Sequence, residues 1–140
     1  MDPNEVDALR AAVSRLARRL RNEGSGSDTL SATGVAVLAR LRRDGAQTLQ
    51  ALAAAEHVRP PSMTRIVDRL VKMGLVTRAP HPDDGRAVLV RLGEPGASFL
   101  ADTVRQRSAW LTERLGALDA ADADALRAAL PALQRLADAS

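Results

Sequence analysis

Three observations predict a mainly α-helical fold carrying a small two-stranded β wing. Apolar residues recur at helical intervals along most of the chain. Two short runs rich in Val and Leu, 75–78 and 88–92, flank an Asp84-Gly85 turn signal. Aromatic residues are limited to Phe99 and Trp110, so Leu, Val, Ile and Ala must build the core, a composition that favours helices.

The elements follow in order. Val6, Leu9, Val13, Leu16 and Leu20 form a narrow seam along a first helix, the kind of stripe that packs on another helix. Gly24-Ser25-Gly26-Ser27-Asp28 breaks that helix. The glycines have no following Lys and no preceding strand, so they do not make a phosphate-binding loop. Ser31 or Thr33 caps a second helix through about Arg43, with Val35, Leu38 and Leu41 inward and Asp44-Gly45 as its stop. Thr48 caps a short third helix holding Leu49, Leu52 and Ala53, which ends near His57-Val58. Pro60 and Pro61 open a fourth helix, since proline pre-sets the dihedral of a first turn, and Gly74 closes it after Met73. The two strands come next. A long helix is expected from about Pro95 to Leu115, with Leu100, Val104, Leu111, Leu115 and Leu118 on one face. A last helix starts near Asp119 and carries Leu126, Leu130, Leu133 and Leu136, with a kink expected at Pro131. The chain therefore divides into an N-terminal dimerisation helix over 1–23, a winged helix-turn-helix over 29–92 and C-terminal dimerisation helices over 94–140.

Composition excludes several classes. With no cysteine there are no disulfides, thiolate zinc sites or thiol redox sensors. No apolar run is long enough to span a membrane, and the acidic start at Asp2, Glu5 and Asp7 contains no signal core, so a cytoplasmic location is the expectation. His57 and His81 read as a turn residue and a loop residue; no metal site and no cofactor is expected. Asp83-Asp84 has no partnered nucleophile and is explained by the turn, so the chain does not read as an enzyme. The net charge of +3 is unevenly placed: 40–91 is net +5, 1–39 is neutral and 92–140 is net −2. A basic centre between neutral and acidic flanks fits a nucleic-acid reader with separate assembly elements.

The chemistry lies in 62–73. At about 100° per residue, Met63, Ile66, Val67, Leu70, Val71 and Met73 share one half of the helix. Ser62, Thr64, Arg65, Asp68, Arg69 and Lys72 share the other. A DNA major groove admits one such helix and offers a donor and acceptor code that Arg, Ser and Thr can read. Pro61, Ser62, Thr64 and Arg65 lie in the first turns, where base contacts concentrate. Arg69 and Lys72 lie further along, towards phosphates. Asp68 is expected to pair with Arg65, Arg69 or Lys72. In the wing, Arg78, Asp84 and Arg86 are the residues expected at the DNA; Arg86 sits just past the turn, placed for a minor groove, with Asp84 expected to hold Arg86 or Arg78.

The run Leu52-Ala53, Val58, Pro61-Ser62-Met63-Thr64-Arg65-Ile66-Val67-Asp68-Arg69-Leu70, Gly74-Leu75-Val76, Arg78, Asp84-Gly85-Arg86 and Val88-Leu89-Val90-Arg91-Leu92 resembles the MarR (multiple antibiotic resistance regulator) family, over nearly the whole chain. The resemblance implies a homodimer built by the first and last two helices, a recognition helix in the major groove and a wing Arg in the minor groove of double-stranded DNA. It also implies a repressor released by a small aromatic or anionic effector. Arg15 and Arg18, within a basic cluster ending the first helix, read either as solvated charge or as an anion pocket. Phe99 and Trp110 read as core or interface residues, or as walls of an effector pocket. Effector control would change the recognition-helix separation, with hinge-like glycines at 24–27 and at Gly93. Where the family often has Leu-Thr after the second wing strand, this chain has Leu92-Gly93; Pro131 is also unusual. The rival reading is a winged helix that binds a protein partner instead of DNA.

Overall fold

The computed structural model describes residues 1–23 and 30–139. The predicted glycine-serine break at 24–28 lies outside the described residues. Among the described residues six helices and three strands follow in order: α1 (Pro3–Asn22), α2 (Ala32–Asp44), β1 (Gln47–Thr48), α3 (Leu49–Ala55), α4 (Pro60–Lys72), β2 (Val76–Pro80), β3 (Val88–Leu92), α5 (Glu94–Gly116) and α6 (Ala120–Asp138). Two compact units result, residues 1–107 and 108–140.

Local chemistry sets the helix ends. Asp2 and Glu5 make a reciprocal capping box that starts α1. Ser31, not Thr33, caps α2 by accepting from Gly34 N–H at 3.1 Å. Thr48 caps α3 through Ala51 N–H at 3.1 Å, and Asp119 caps α6 through Asp122 N–H at 2.8 Å. Gly45 and Gly74 take φ of +78° and +73° where α2 and α4 end, values that cost other residues a Cβ clash. Pro131 lies inside α6, where it removes one backbone donor.

The sheet has three strands, in the order β1-β3-β2, all antiparallel. The expected two-stranded wing is β2 and β3, paired from Val76↔Leu92 to Pro80↔Val88. The third strand pairs Gln47 with Val90 and Thr48 with Leu89. Two residues are too few to show an alternation, which hid β1 in the sequence. Strand β2 also begins one residue later and ends two later than expected. It lies on the sheet edge, where Pro80 can pair without offering an N–H.

The core is built around α4. Met63, Val67 and Leu70 are 0% exposed. They pack in one cluster with Val37 and Leu38 of α2, Leu52 of α3, Val76 of β2 and Val90 of β3. Phe99 packs partly buried against this cluster, beside buried Leu100. By contrast, α1 and α6 bury no residue within the single chain. Val6, Leu9, Val13 and Leu16 of α1 remain exposed, as do Leu126, Leu130 and Leu136 of α6.

Helix α5 is fastened at both ends of its stretch within the first unit. Near its start, Gly93 N–H donates to the Leu75 carbonyl at 2.9 Å. At the junction of β3 and α5, Gly93 is thus tied by its backbone to the residue that follows Gly74. Further along, Arg107 Nε donates to the Glu23 carbonyl at 3.3 Å and its Nη2 to the Arg21 carbonyl at 3.5 Å. These contacts draw the guanidinium against the C-terminal end of α1, where the helix dipole favours a cation. Burial, and then the nearby charge of Arg21, push the Arg107 pKa below its ordinary value. No helix among the described residues is long and apolar enough to cross a membrane.

Leu38 is 0% exposed, and its removal leaves a cavity between α2 and α4. Leu38→Ala is expected to destabilise the chain by about 2–5 kcal/mol. Urea unfolding checks this; a loss below about 1 kcal/mol would contradict the packing described.

Candidate nucleic-acid interface

The two halves of α4 separate as its periodicity requires. Met63, Val67 and Leu70 are buried, and Ile66, Val71 and Met73 pack against the core from its edge. Pro61, Ser62, Thr64, Arg65, Arg69 and Lys72 are all exposed. Pro60 and Pro61 occupy the first turn, where their missing N–H groups leave no intrahelical bond unmade. Thr64 Oγ1 donates to the Pro60 carbonyl at 3.0 Å, which leaves both hydroxyl lone pairs free to accept. Arg65 forms no ion pair among the described residues.

The wing is held by its own backbone. The Asp84 carbonyl accepts from Ala87 N–H at 3.0 Å, and Asp84 Oδ1 accepts from Arg86 N–H at 3.1 Å. That is an Asx-type turn in which the side chain mimics a backbone acceptor. His81 N–H donates to the Ala87 carbonyl at 3.0 Å, and His81 Nδ1 accepts from Asp83 N–H at 3.1 Å. Asp84 therefore orders the wing through the backbone of Arg86 and leaves the guanidinium exposed.

The charge pairing differs from expectation. Asp68 binds Arg78 Nη1 of strand β2, a partner outside its own helix. Arg78 comes near because β2 turns back beside α4 after Gly74, a proximity that helical spacing cannot reveal. Of the two wing arginines singled out in the sequence, Arg78 is engaged and Arg86 makes no ion pair among the described residues.

One cleft of about 400 Å³ joins three elements. Thr48, Leu49 and Gln50 at the start of α3 form one wall, Pro60 and Thr64 of α4 the second, and Arg86, Ala87 and Val88 of the wing the third. Thus Thr64 and Arg86, far apart in sequence, open onto one surface. Sequence reasoning read Thr48 and Pro60 only as helix-start residues, and did not name Gln50. Their placement follows from the Thr48↔Leu89 pairing, which carries the start of α3 alongside the base of the wing.

Of the residues named for a small effector, Arg15 and Arg18 are exposed on α1, and Phe99 packs on the core. Trp110 belongs to the second unit, where its ring lies 5.6 Å from the Arg114 guanidinium. Among the described residues no group of three or more His, Asp or Glu could hold a metal ion.

The family model described as MarR family matches residues 30–88, the span from the end of the first loop to the second wing strand. An HTH-type transcriptional regulator of Mycobacterium bovis is 46% identical over 99% of this chain and 96% of its own. Among solved structures, a transcriptional regulator protein of Pseudomonas aeruginosa superposes with a TM-score of 0.82 at 33% identity, covering 98% of this chain and 96% of that one. The apo form of wild-type MarR from Escherichia coli gives a TM-score of 0.74 at 26% identity, with 95% and 97% covered.

The Asp68–Arg78 pair is solvent-exposed, with side chains 47% and 39% accessible. A double-mutant cycle of Asp68→Asn with Arg78→Gln is expected to give a coupling of about 1 kcal/mol or less. Thermal unfolding of the four proteins measures it, and a coupling of several kcal/mol would show that the pair organises the fold.

Proposed function

Since the chain belongs to the MarR family of winged helix-turn-helix transcriptional regulators, we propose that it binds a pseudo-palindromic DNA operator as a homodimer and represses until a small aromatic or anionic effector releases it. The observation that carries this reading is the shared surface of α4 and the wing. There the face bearing Ser62, Thr64 and Arg65 is exposed, and Thr64 lines one cleft with Arg86.

A major groove accepts the polar half of α4, with Ser62, Thr64 and Arg65 towards base edges and Arg69 and Lys72 towards phosphates. The strand that separates this groove from the next minor groove then runs over the cleft. Arg86 reaches beyond it into the minor groove, where a narrow A·T stretch attracts a guanidinium. Dimerisation falls to residues 1–23 and 94–140. Support comes from the apolar seams of α1 and α6, which the single chain leaves uncovered. Effector release would act by changing the separation of the two recognition helices, because two half-sites about 34 Å apart tolerate little change in span. Arg15, Arg18, Phe99 and Trp110 are the residues offered for that effector.

Two measurements test the reading. Sedimentation at micromolar concentration is expected to give twice the 14.9 kDa chain mass; a stable monomer would refute the dimer. For DNA, Arg65→Ala is expected to cost about 1–3 kcal/mol per half-site and to relax preference at one or two base pairs. Arg86→Ala should weaken binding on all sequences and lower the salt slope by about one per subunit. Titrations on the operator and a scrambled duplex at several salt concentrations separate the two. Equal losses on both duplexes for Arg65→Ala would make it a phosphate contact. No loss from either variant would favour a protein partner for this face.

A further inference from the structure

The start of α5 approaches the end of the recognition helix with no side chain between them. Leu75 N–H donates to the Leu70 carbonyl at 3.0 Å, so Leu75 continues the last turn of α4. The Leu75 carbonyl in turn accepts Gly93 N–H at 2.9 Å. Gly96, in the first turn of α5, is buried against that same carbonyl. A Cβ placed on Gly96 would lie 2.2 Å from the Leu75 oxygen and 2.7 Å from Leu92 Cδ1. The first obstacle is backbone and cannot rotate away. A Cβ on Gly93 would lie 3.3 Å from the same oxygen, a milder intrusion. Both glycines act here through lack of bulk, since neither has a positive φ.

From this we propose that Gly96 is a positioning residue for DNA binding: its missing side chain sets the angle at which α5 leaves the Leu75 carbonyl, and hence the span between the two recognition helices of the dimer. The proposal rests on the homodimer described above. Leverage makes the contact consequential. Helix α5 extends 20 residues beyond Gly96, about 30 Å, so a tilt of about 5° at its start displaces its far end by about 3 Å. One base-pair step along the duplex is about 3.4 Å. On this account α4 and α5 move as one piece, and any effector that tilts α5 carries the recognition helix with it.

The absence of cysteine makes the test direct. Lys72→Cys, at the exposed end of α4, provides one spin-label site per chain. The distance between labels across the dimer is measured without DNA in the parent, in Gly96→Ala and in Gly93→Ala. The expected result is a mean distance shifted by several ångström in Gly96→Ala and by less, in the same direction, in Gly93→Ala. On DNA, with Lys72 restored, Gly96→Ala should bind paired half-sites at least about tenfold more weakly while keeping single half-site affinity within about twofold. A purely structural role would lower the melting temperature and leave the distance unmoved. An unchanged distance in folded dimers, or equal losses on single and paired half-sites, overturns the proposal. Should Gly96→Ala fail to fold, Gly93→Ala decides by the same criteria. If the parent gives no dipolar signal, the dimer itself is refuted and the proposal falls with it; an unchanged distance refutes the proposal alone.

Discussion

The burial of one half of α4 is the constraint on which the rest of the structure depends. Met63, Val67 and Leu70 are wholly removed from solvent and meet side chains from α2, α3 and both long strands. Burying side chains of this size is worth about 1.5–3 kcal/mol each, and the contacts are too many for the helix to rotate about its axis. Because the apolar half is fixed inward, the polar half must face outward. The orientation of Ser62, Thr64 and Arg65 is therefore a consequence of core packing. No side-chain cap at Arg59 helps to set it; the two prolines and the core do so.

The same packing decides which charges are available. Strand β2 leaves the end of α4 and returns beside it, so Arg78 meets Asp68, and the pair nearly cancels at the surface. Arg86 lies beyond reach of that carboxylate, and Asp84 spends its own oxygen on the Arg86 backbone. Of the wing's three arginines, Arg78 is thus engaged, while Arg86 and Arg91 make no ion pair among the described residues. Elsewhere, Arg40 joins α2 to the end of α3 through Glu56 at 3.1 Å, while Arg43 holds the Asp44 carboxyl below its usual pKa. These pairs keep carboxylates of the basic central segment occupied.

Helices α1 and α6 show the opposite economy of surface. Each has a regular apolar stripe, and neither buries a residue in the single chain. The lobe around α4 is complete without them, since its core closes over α2, α3, α4 and the sheet. An apolar stripe left uncovered by its own lobe is what a protein–protein surface requires. Gly93 and Gly96 bring the lobe and α5 together backbone to backbone, which leaves little slack at that junction.

Much of this was legible in the sequence because it depends on periodicity and local chemistry. The 3.6-residue repeat of residues 62–73 determined which face of α4 is buried, and Ser31, Thr48 and Asp119 announced their helix starts through short-range capping. Asp84-Gly85 announced the turn of the wing. What the sequence could not show depends on partners distant along the chain. Two-residue β1 has no period to read and exists only because β3 offers it a ladder. Asp68 finds Arg78 ten residues away on a strand, and Gln50 joins the cleft only through strand pairing. Gly96 looks in the sequence like a weak point at a helix start; only the Leu75 carbonyl, brought there by the fold, makes its lack of a side chain a requirement. Residues within a few positions of one another specify their geometry through the backbone they share, whereas contacts across the chain exist only after the core has closed.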